Sequence, residues 1–166
     1  MGNFERIPGY GDRQAPRPKP EQEARQKYQE FGFKAKWITE GIDKSFVEFA
    51  EKVGYYLATA KIPYSDKNTG ETKYTDSSLS SSKIRSIYSE IKRVQTDFDK
   101  EKSSFYLLKP KVAYAVGRDK NNLGLQMFKL VFDECFNNVE TAQHYYNLCN
   151  VMEATIAYHK ANGGRD

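Results

Sequence analysis

The sequence predicts an all-α protein, a compact helical bundle of about five helices with a disordered or extended N-terminal tail. Two observations favour helices. Apolar residues recur at steps of three, four and seven beyond residue 40, and serine, asparagine and glycine stand where such segments would begin and end. A third observation argues against a sheet, since no segment alternates between apolar and polar residues with β-branched enrichment. A chain of 166 residues is long enough for one domain with its own core.

Residues 1–36 are predicted to form a flexible, basic extension that is rich in proline and glycine. These two residue types recur through residues 1–20 and disfavour both a helix and a core, so this part is expected to be disordered on its own. The segment 21–36 permits a short polar helix. The extension and Trp37 could pack on the bundle, dock on a neighbouring subunit or follow a nucleic acid, and the sequence leaves these three placements open.

An additional N-terminal helix is predicted within residues 37–63, where Pro63 would stop it. Residues 64–78 then form a polar loop, because Asn68 and Gly70 favour turns. The loop is longer than most connections and is therefore expected to move or to contact a partner. The apolar stripe of the helix consists of Ile42, Phe46, Phe49, Ala50, Val53, Leu57 and Ala60.

Residues 79–166 are predicted to form the helical core. Ser80 or Ser81 is a suitable N-cap for its first helix, and Pro110 requires the next helix either to begin near that residue or to kink. Two more helices are predicted over residues 122–136 and from Val139 onward. The buried stripes of the first two helices are Ile84, Ile87, Tyr88, Ile91, Val94 and Phe98, followed by Leu107, Leu108, Val112, Ala115 and Val116.

The sequence offers no catalytic constellation. His144 and His159 have neither a nucleophile nor further metal ligands at a useful spacing. His144 is interpreted as a surface residue near a helix start, and His159 as a helix-end residue that is favoured there when protonated. We therefore expect a protein that is not an enzyme and that binds no cofactor and no metal.

The compartment is predicted from the cysteines and from the hydropathy. Cys135 and Cys149 fall on apolar helical positions and are expected to be buried, reduced thiols. No apolar run approaches the roughly 20 residues that cross a membrane. The segment 1–6 also lacks the apolar stretch of a signal peptide. We expect a cytoplasmic protein without membrane contact.

Positive charge is concentrated in two parts of the chain. Residues 76–120 carry ten Lys/Arg against six Asp/Glu, and residues 1–36 carry eight against five. Such segregation favours a polyanionic partner, because Lys and Arg neutralise phosphates without reading sequence. An ordinary solvated face is an equally typical cause of so small an excess.

The candidate nucleic-acid-binding residues are Lys83, Arg85, Lys92, Arg93, Lys111 and Arg118. Arg85 and Arg118 are the strongest candidates because a guanidinium matches two phosphate oxygens at once, whereas Lys92 is also explained as a solubility charge. Tyr88 and Tyr114 lie among these cations, where a tyrosine can stack on an exposed base. For Tyr88 core packing is preferred, since it belongs to the buried stripe.

Three segments carry a resemblance to a known family. Leu79-Ser80-Ser81-Ser82-Lys83-Ile84-Arg85 resembles the opening of the small subunit of the type III-A CRISPR effector, the Csm complex. Lys111-Val112-Ala113-Tyr114-Ala115-Val116-Gly117-Arg118-Asp119 resembles the family's segment with Tyr and Gly-Arg at the same spacing. Met152-Glu153-Ala154-Thr155-Ile156-Ala157-Tyr158-His159-Lys160, with Gly163-Gly164-Arg165-Asp166, resembles its ending. The resemblance covers roughly residues 76–166, with the motifs in order.

The resemblance implies a non-catalytic, RNA-binding structural subunit of an antiviral effector complex. Copies would stack along the filament, beside the backbone subunit and the large subunit, and would contact the sugar-phosphate backbone of guide RNA and target RNA. Lys83, Arg85, Lys111 and Arg118 would then face nucleic acid. Catalysis in that family belongs to the backbone and large subunits.

Other functions stay open from the residues alone. A helical protein–protein adaptor with no direct nucleic-acid role would turn the same basic faces toward acidic protein surfaces. An enzyme of another type has little support. A helix-turn-helix reader of DNA is disfavoured because residues 97–104 are too long and too charged for the usual short turn.

Overall fold

The computed structural model describes residues 16–165, and within them the chain folds into seven helices and one two-stranded hairpin. The predicted all-α class is confirmed. The helix count differs from about five, since two N-terminal helices add to the bundle. The elements are α1 (Pro20–Phe31), α2 (Lys36–Thr39), α3 (Lys44–Thr59), β1 (Lys61–Ser65), β2 (Thr72–Asp76), α4 (Ser81–Gln95), α5 (Lys102–Arg118), α6 (Leu123–Asn137) and α7 (Ala142–Ala161).

Helices α6 and α7 form the centre of the bundle. Helix α6 packs against α1, α3 and α5, while α7 packs against α2, α3 and α4. A central helix must be apolar around most of its circumference, and the six residues at the start of α6, 123–128, are all buried. Cys135 and Cys149 are free and buried, as predicted. Burial raises the pKa of the Cys149 thiol to about 12, so it stays protonated.

Four of the seven described helices begin at a side chain that accepts a hydrogen bond from a free backbone amide. Ser80 Oγ accepts from the amide of Lys83, which confirms Ser80 as the N-cap of α4. Asp43, Asn122 and Thr141 cap α3, α6 and α7 in the same way. These caps fix where α4 begins and thereby which of its side chains face each neighbouring helix.

The prediction that the chain has no sheet is wrong over residues 61–76. β1 and β2 pair in antiparallel register, with Pro63 opposite Tyr74, and a turn closes them in which Asp66 Oδ1 accepts from the amide of Asn68 at 2.7 Å. Nine of the ten strand residues are exposed, and Ile62 is half-buried. A hairpin without a buried face needs no apolar alternation, so the sequence signal on which strand prediction relies was absent.

Helix α5 runs from Lys102 to Arg118 with Pro110 inside it. Of the two predicted alternatives, a helix that begins near the proline is therefore wrong. Pro110 is exposed, so its ring meets solvent on the outer side of the helix, where the lost amide hydrogen bond is least costly. Leu107 does not lie on the buried stripe and is 55% exposed, while Phe105 is buried instead.

The described part of the N-terminal region packs on the bundle. Helix α1 lies against α6 with Ala24 fully buried. Trp37 is 1% exposed, and its indole Nε1 donates to Asp43 Oδ1 at 3.1 Å. Residues 1–15 of the predicted tail lie outside the described residues. The domain boundaries at residues 36, 63 and 78 stay predictions.

Residues 163–165, which follow the C-cap of α7, return to the start of α4. The amide of Ser81 donates to the Arg165 carbonyl at 2.7 Å, and Arg165 Nε lies 2.8 Å from Asp76 Oδ2. Gly164 lies on the His159 ring so closely that a Cβ there would stand 2.0 Å from its Cε1 atom. A side chain at position 164 is therefore excluded. Asp166 of the quoted ending lies outside the described residues.

Among the helices within residues 16–165, none is both long and apolar enough to cross a bilayer.

Candidate nucleic-acid interface

A groove of about 780 Å³ runs between α4 and α5. Its walls carry three of the six predicted cations, its floor is apolar, and it is open to solvent along its length. The lining consists of Lys83, Ser86, Ile87, Ser89, Glu90, Leu108, Lys111, Tyr114, Ala115, Arg118 and Asp119. We call this feature the α4/α5 groove.

The helical repeat places the cations on facing walls. Lys83 and Glu90 are seven residues apart on α4, and Lys111 and Arg118 are seven apart on α5. Residues at such a separation share one side of a helix. The buried residues of each helix fix which side that is, so the two rows face each other across the groove.

Two lysines of the groove already hold carboxylates. Lys83 Nζ lies 2.5 Å from Asp119 Oδ2, and Lys111 Nζ lies 3.2 Å from Glu90 Oε2. Arg93 Nη2 also bonds Glu90 Oε2 at 3.2 Å. Hydrogen bonds from Lys111 and then Arg93 lower the pKa of Glu90, which is therefore ionised at neutral pH. Two of the three groove cations are thus compensated within the protein.

Arg118 differs from the two lysines. Its guanidinium forms no ion pair with any carboxylate in residues 16–165 and lies 5.8 Å from the centroid of the Tyr114 ring. Tyr114 is itself 67% exposed. A free guanidinium beside an exposed ring presents both a phosphate ligand and a stacking surface at the mouth of the groove.

The structure separates Arg85 and Lys92 from this groove. Arg85 lines a second, smaller cavity of about 270 Å³ between α4 and α7, with Tyr88 and Ile156. Lys92 Nζ lies 3.9 Å from Glu153 Oε2 and 6.0 Å from the centroid of the Tyr88 ring. Arg93 stands at the end of α4 and bridges Glu90 and Glu101. The six candidates therefore occupy three places.

Tyr88 is half-buried, in line with the packing role preferred for it. Burial is the main reason that its pKa rises to about 12, and the nearby Glu153 carboxylate adds to the rise. The ring stays neutral at physiological pH. It belongs to the α7 side of α4 and not to the groove.

The interpretation of His159 as a protonated helix-end residue is wrong. His159 is 1% exposed, and its Nε2 donates to the Leu79 carbonyl at 2.7 Å, which fixes the tautomer. Burial lowers the pKa of His159, so the neutral ring is the native form. His144 is partly exposed at the start of α7, and its Nδ1 accepts from the Glu140 amide at 3.2 Å. The part of the chain that the structure describes holds no cluster of three or more side chains that could bind a metal ion.

Sequence reasoning missed the two carboxylates of the groove. Glu90 follows Lys83 by two helical turns, so its position on the same wall was available from the helical repeat. Asp119 is the last residue of the segment 111–119, which was singled out for its basic residues. Its contact with Lys83 joins residues 36 positions apart in the sequence. No local pattern predicts such a contact.

One comparison with known proteins found a match. A family model described as Csm2 Type III-A matches residues 56–165, which include the hairpin and α4 to α7. No curated protein and no solved structure matches the chain. Both walls of the α4/α5 groove lie inside the matched residues, whereas α1, α2 and most of α3 precede them.

Proposed function

Since the chain belongs to the Csm2 type III-A family and is therefore a structural small subunit of the Csm complex, we propose that it holds RNA backbone in the α4/α5 groove. The RNA would be the guide RNA or the target RNA of the complex. The same proposal places copies of the chain in a stack along the filament, beside the backbone and large subunits, in the cytoplasm.

The observation that carries the proposal is the alignment of Lys83, Lys111 and Arg118 along one open groove. Lys and Arg neutralise phosphates at any sequence, and a subunit that repeats along an RNA needs such sequence-independent contacts. Tyr114 adds an exposed ring that can stack on a splayed base. Arg85, Lys92 and Arg93 extend the basic surface around α4 and are proposed as outlying contacts.

The proposed role is non-catalytic. Within the described residues both thiols are buried, and His159 is buried and engaged with the Leu79 carbonyl. A nucleophile or general base must reach its substrate, and these groups do not. The family is one of structural small subunits, in agreement with this proposal.

The proposal is tested with the full-length protein and a fluorescent single-stranded RNA, by anisotropy at several salt concentrations. The double variant Lys111→Gln/Arg118→Gln should weaken binding on the order of tenfold, because charge-assisted hydrogen bonds to phosphate are lost. The salt slope should fall by about 0.7 for each phosphate contact removed, and equally for unrelated RNA sequences.

The matched control is Lys52→Gln on α3, since Lys52 is an exposed cation paired with Glu48 at 2.8 Å and lies away from the groove. This control should bind RNA like the unmodified protein. Equal binding by the groove variant and the control, with both folded, would overturn the groove assignment. Stable partner proteins that survive nuclease treatment, with no RNA in the purified assembly, would favour the adaptor function.

A further inference from the structure

The α4/α5 groove contains two carboxylates. Glu90 lies on α4, and Asp119 is the C-cap of α5. We propose that Glu90 and Asp119 act as internal counter-ions that take the places of RNA phosphates in the free protein and leave them when RNA binds. This inference rests on the proposed RNA contact of the groove. It assigns a function to two acidic residues whose presence in a cationic groove is otherwise unexplained.

The exchange is feasible because both ion pairs are at the surface. The side chains of Glu90 and Asp119 are 38% and 43% exposed, and those of Lys111 and Lys83 are 53% and 40% exposed. Exposed pairs contribute little to stability since water screens them. A backbone phosphate offers each lysine anionic acceptor oxygens of the same kind as a carboxylate, so a bound strand can replace the carboxylates without disturbing the fold.

The two carboxylates are not equivalent after the exchange. Glu90 bonds both Lys111 and Arg93, so it keeps Arg93 when Lys111 turns to a phosphate. Among the described residues the Asp119 side chain has Lys83 as its partner and would be left without a cation beside the incoming strand. Asp119 should therefore oppose RNA binding more strongly than Glu90.

The three cations of the groove differ in the ion pair that each must break to bind a phosphate. Within residues 16–165 Arg118 holds no carboxylate and lies beside the Tyr114 ring, so its contact with phosphate breaks no ion pair of that part of the chain. Lys83 and Lys111 each exchange one anion for another and gain less. An isolated anion therefore gains one such contact at Arg118, whereas a continuous strand can engage all three cations along the groove.

The test measures the affinity of purified full-length protein for a labelled single-stranded RNA of about 20 nucleotides at moderate salt. The variants are Asp119→Asn and Glu90→Gln, and the control is Glu48→Gln. Glu48 pairs with Lys52 on α3, so the control makes the same charge change away from the groove. We expect Asp119→Asn to tighten binding about two- to fivefold, Glu90→Gln to tighten it less, and Glu48→Gln to change it by less than twofold.

A double-mutant cycle separates a counter-ion from a general change of net charge. In a Lys83→Gln background the gain from Asp119→Asn should shrink, because the lysine that it releases is gone. An equal gain in both backgrounds would overturn the proposed exchange. Thermal unfolding of each variant checks that the fold is retained.

The outcomes also distinguish this inference from the function on which it rests. If Asp119→Asn and Glu90→Gln bind like Glu48→Gln while Lys111→Gln/Arg118→Gln binds weakly, the counter-ion proposal fails and the RNA groove stands. If the cation variant binds RNA as well as the unmodified protein, both proposals fail together.

Discussion

Helix α4 lies between α5 on one side and α7 on the other, and its two sides carry similar positive charge. On the α7 side the contact is closed around Ile91, which is fully buried and whose carbonyl accepts from Tyr145 Oη at 2.6 Å. The smaller cavity with Arg85 lies nearer the start of the helix. We call the packed part around Ile91 and Tyr145 the closed side. On the α5 side the helices leave an open groove in which lysines meet carboxylates. The difference teaches that charge along a helix does not define a site. The neighbouring helix decides whether a cation of α4 lines a groove shared with other cations, as Lys83 does, or stands apart from it, as Arg85 does.

The largest expected effect is on the closed side. Ile91→Ala should lower the free energy of unfolding by about 2–5 kcal/mol, because it removes buried methyl groups and leaves a cavity against α7. Urea denaturation measures the change. Ser86→Ala, in the groove wall of the same helix, should leave the unfolding midpoint unchanged. A comparable loss for both variants would remove the distinction between the two sides.

A smaller loss is expected when one hydrogen bond is removed from the same contact. Tyr145→Phe deletes the hydroxyl that donates to the buried Ile91 carbonyl and should cost about 1–2 kcal/mol of unfolding free energy. Tyr146→Phe is the matched control, since Tyr146 is an exposed neighbour on α7. If the two variants unfold alike, the Tyr145 hydroxyl does not stabilise the closed side.

The contact between α7 and the start of α4 should be sensitive to acid through His159, whose Nε2 donates to the Leu79 carbonyl. Its pKa is lowered in the folded protein, so below the unfolded value of about 6.5 the unfolded chain binds a proton that the folded one does not. The contribution of His159 to the free energy of unfolding is therefore fully present above that pH. It falls as the pH decreases, by at most about 1.4 kcal/mol per pH unit, until the folded pKa is passed. Urea denaturation at several pH values between 7.5 and about 5 would detect this loss of unfolding free energy.

Two histidine variants sharpen that measurement. His144→Gln should retain the loss, because His144 lies at the more exposed start of α7. His159→Asn should be less stable at neutral pH and should lose this part of the pH dependence. A decline that persists in His159→Asn would assign the effect to another group.

The smallest effect on stability is expected on the open side. Lys111→Gln breaks an exposed ion pair with Glu90 and should leave the unfolding midpoint within experimental error, since such pairs contribute little. The same variant should weaken RNA binding. A clear loss of stability would mean that the Lys111–Glu90 pair serves the fold, and the contrast between the two sides of α4 would lose its basis.

Much of the fold could be predicted because apolar periodicity reports burial. The stripe through Phe46, Phe49 and Val53 and the stripe through Ile84 and Ile91 both proved buried. The hairpin over residues 61–76 could not be predicted, since its strands have almost no buried residues to create a pattern. Helix α2 has only four residues, fewer than two turns, so it shows no periodicity either.

The groove could be predicted only in part. Steps of seven place Lys83 and Glu90 on one side of α4, and Lys111 and Arg118 on one side of α5. Arg85 could also have been excluded from the groove, because two residues correspond to about 200° around a helix, which places it away from Lys83. The pairing of Lys83 with Asp119 could not be predicted, since it joins residues from separate helices. Such partners are set by the packing of α4 on α5.

The position of Leu79 has a consequence for the dynamics of the molecule. Its amide donates to the Leu57 carbonyl at 2.8 Å, and its carbonyl accepts from His159. Gly124 packs so closely on it that a Cβ there would lie 2.6 Å from the Leu79 amide nitrogen. One residue thus joins α3, α6 and α7 at the root of α4. Its amide hydrogen can exchange with deuterium only when its bond to the Leu57 carbonyl breaks. Because the residue is 1% exposed, we expect its exchange rate to report an opening of the bundle and not the fraying of one helix end.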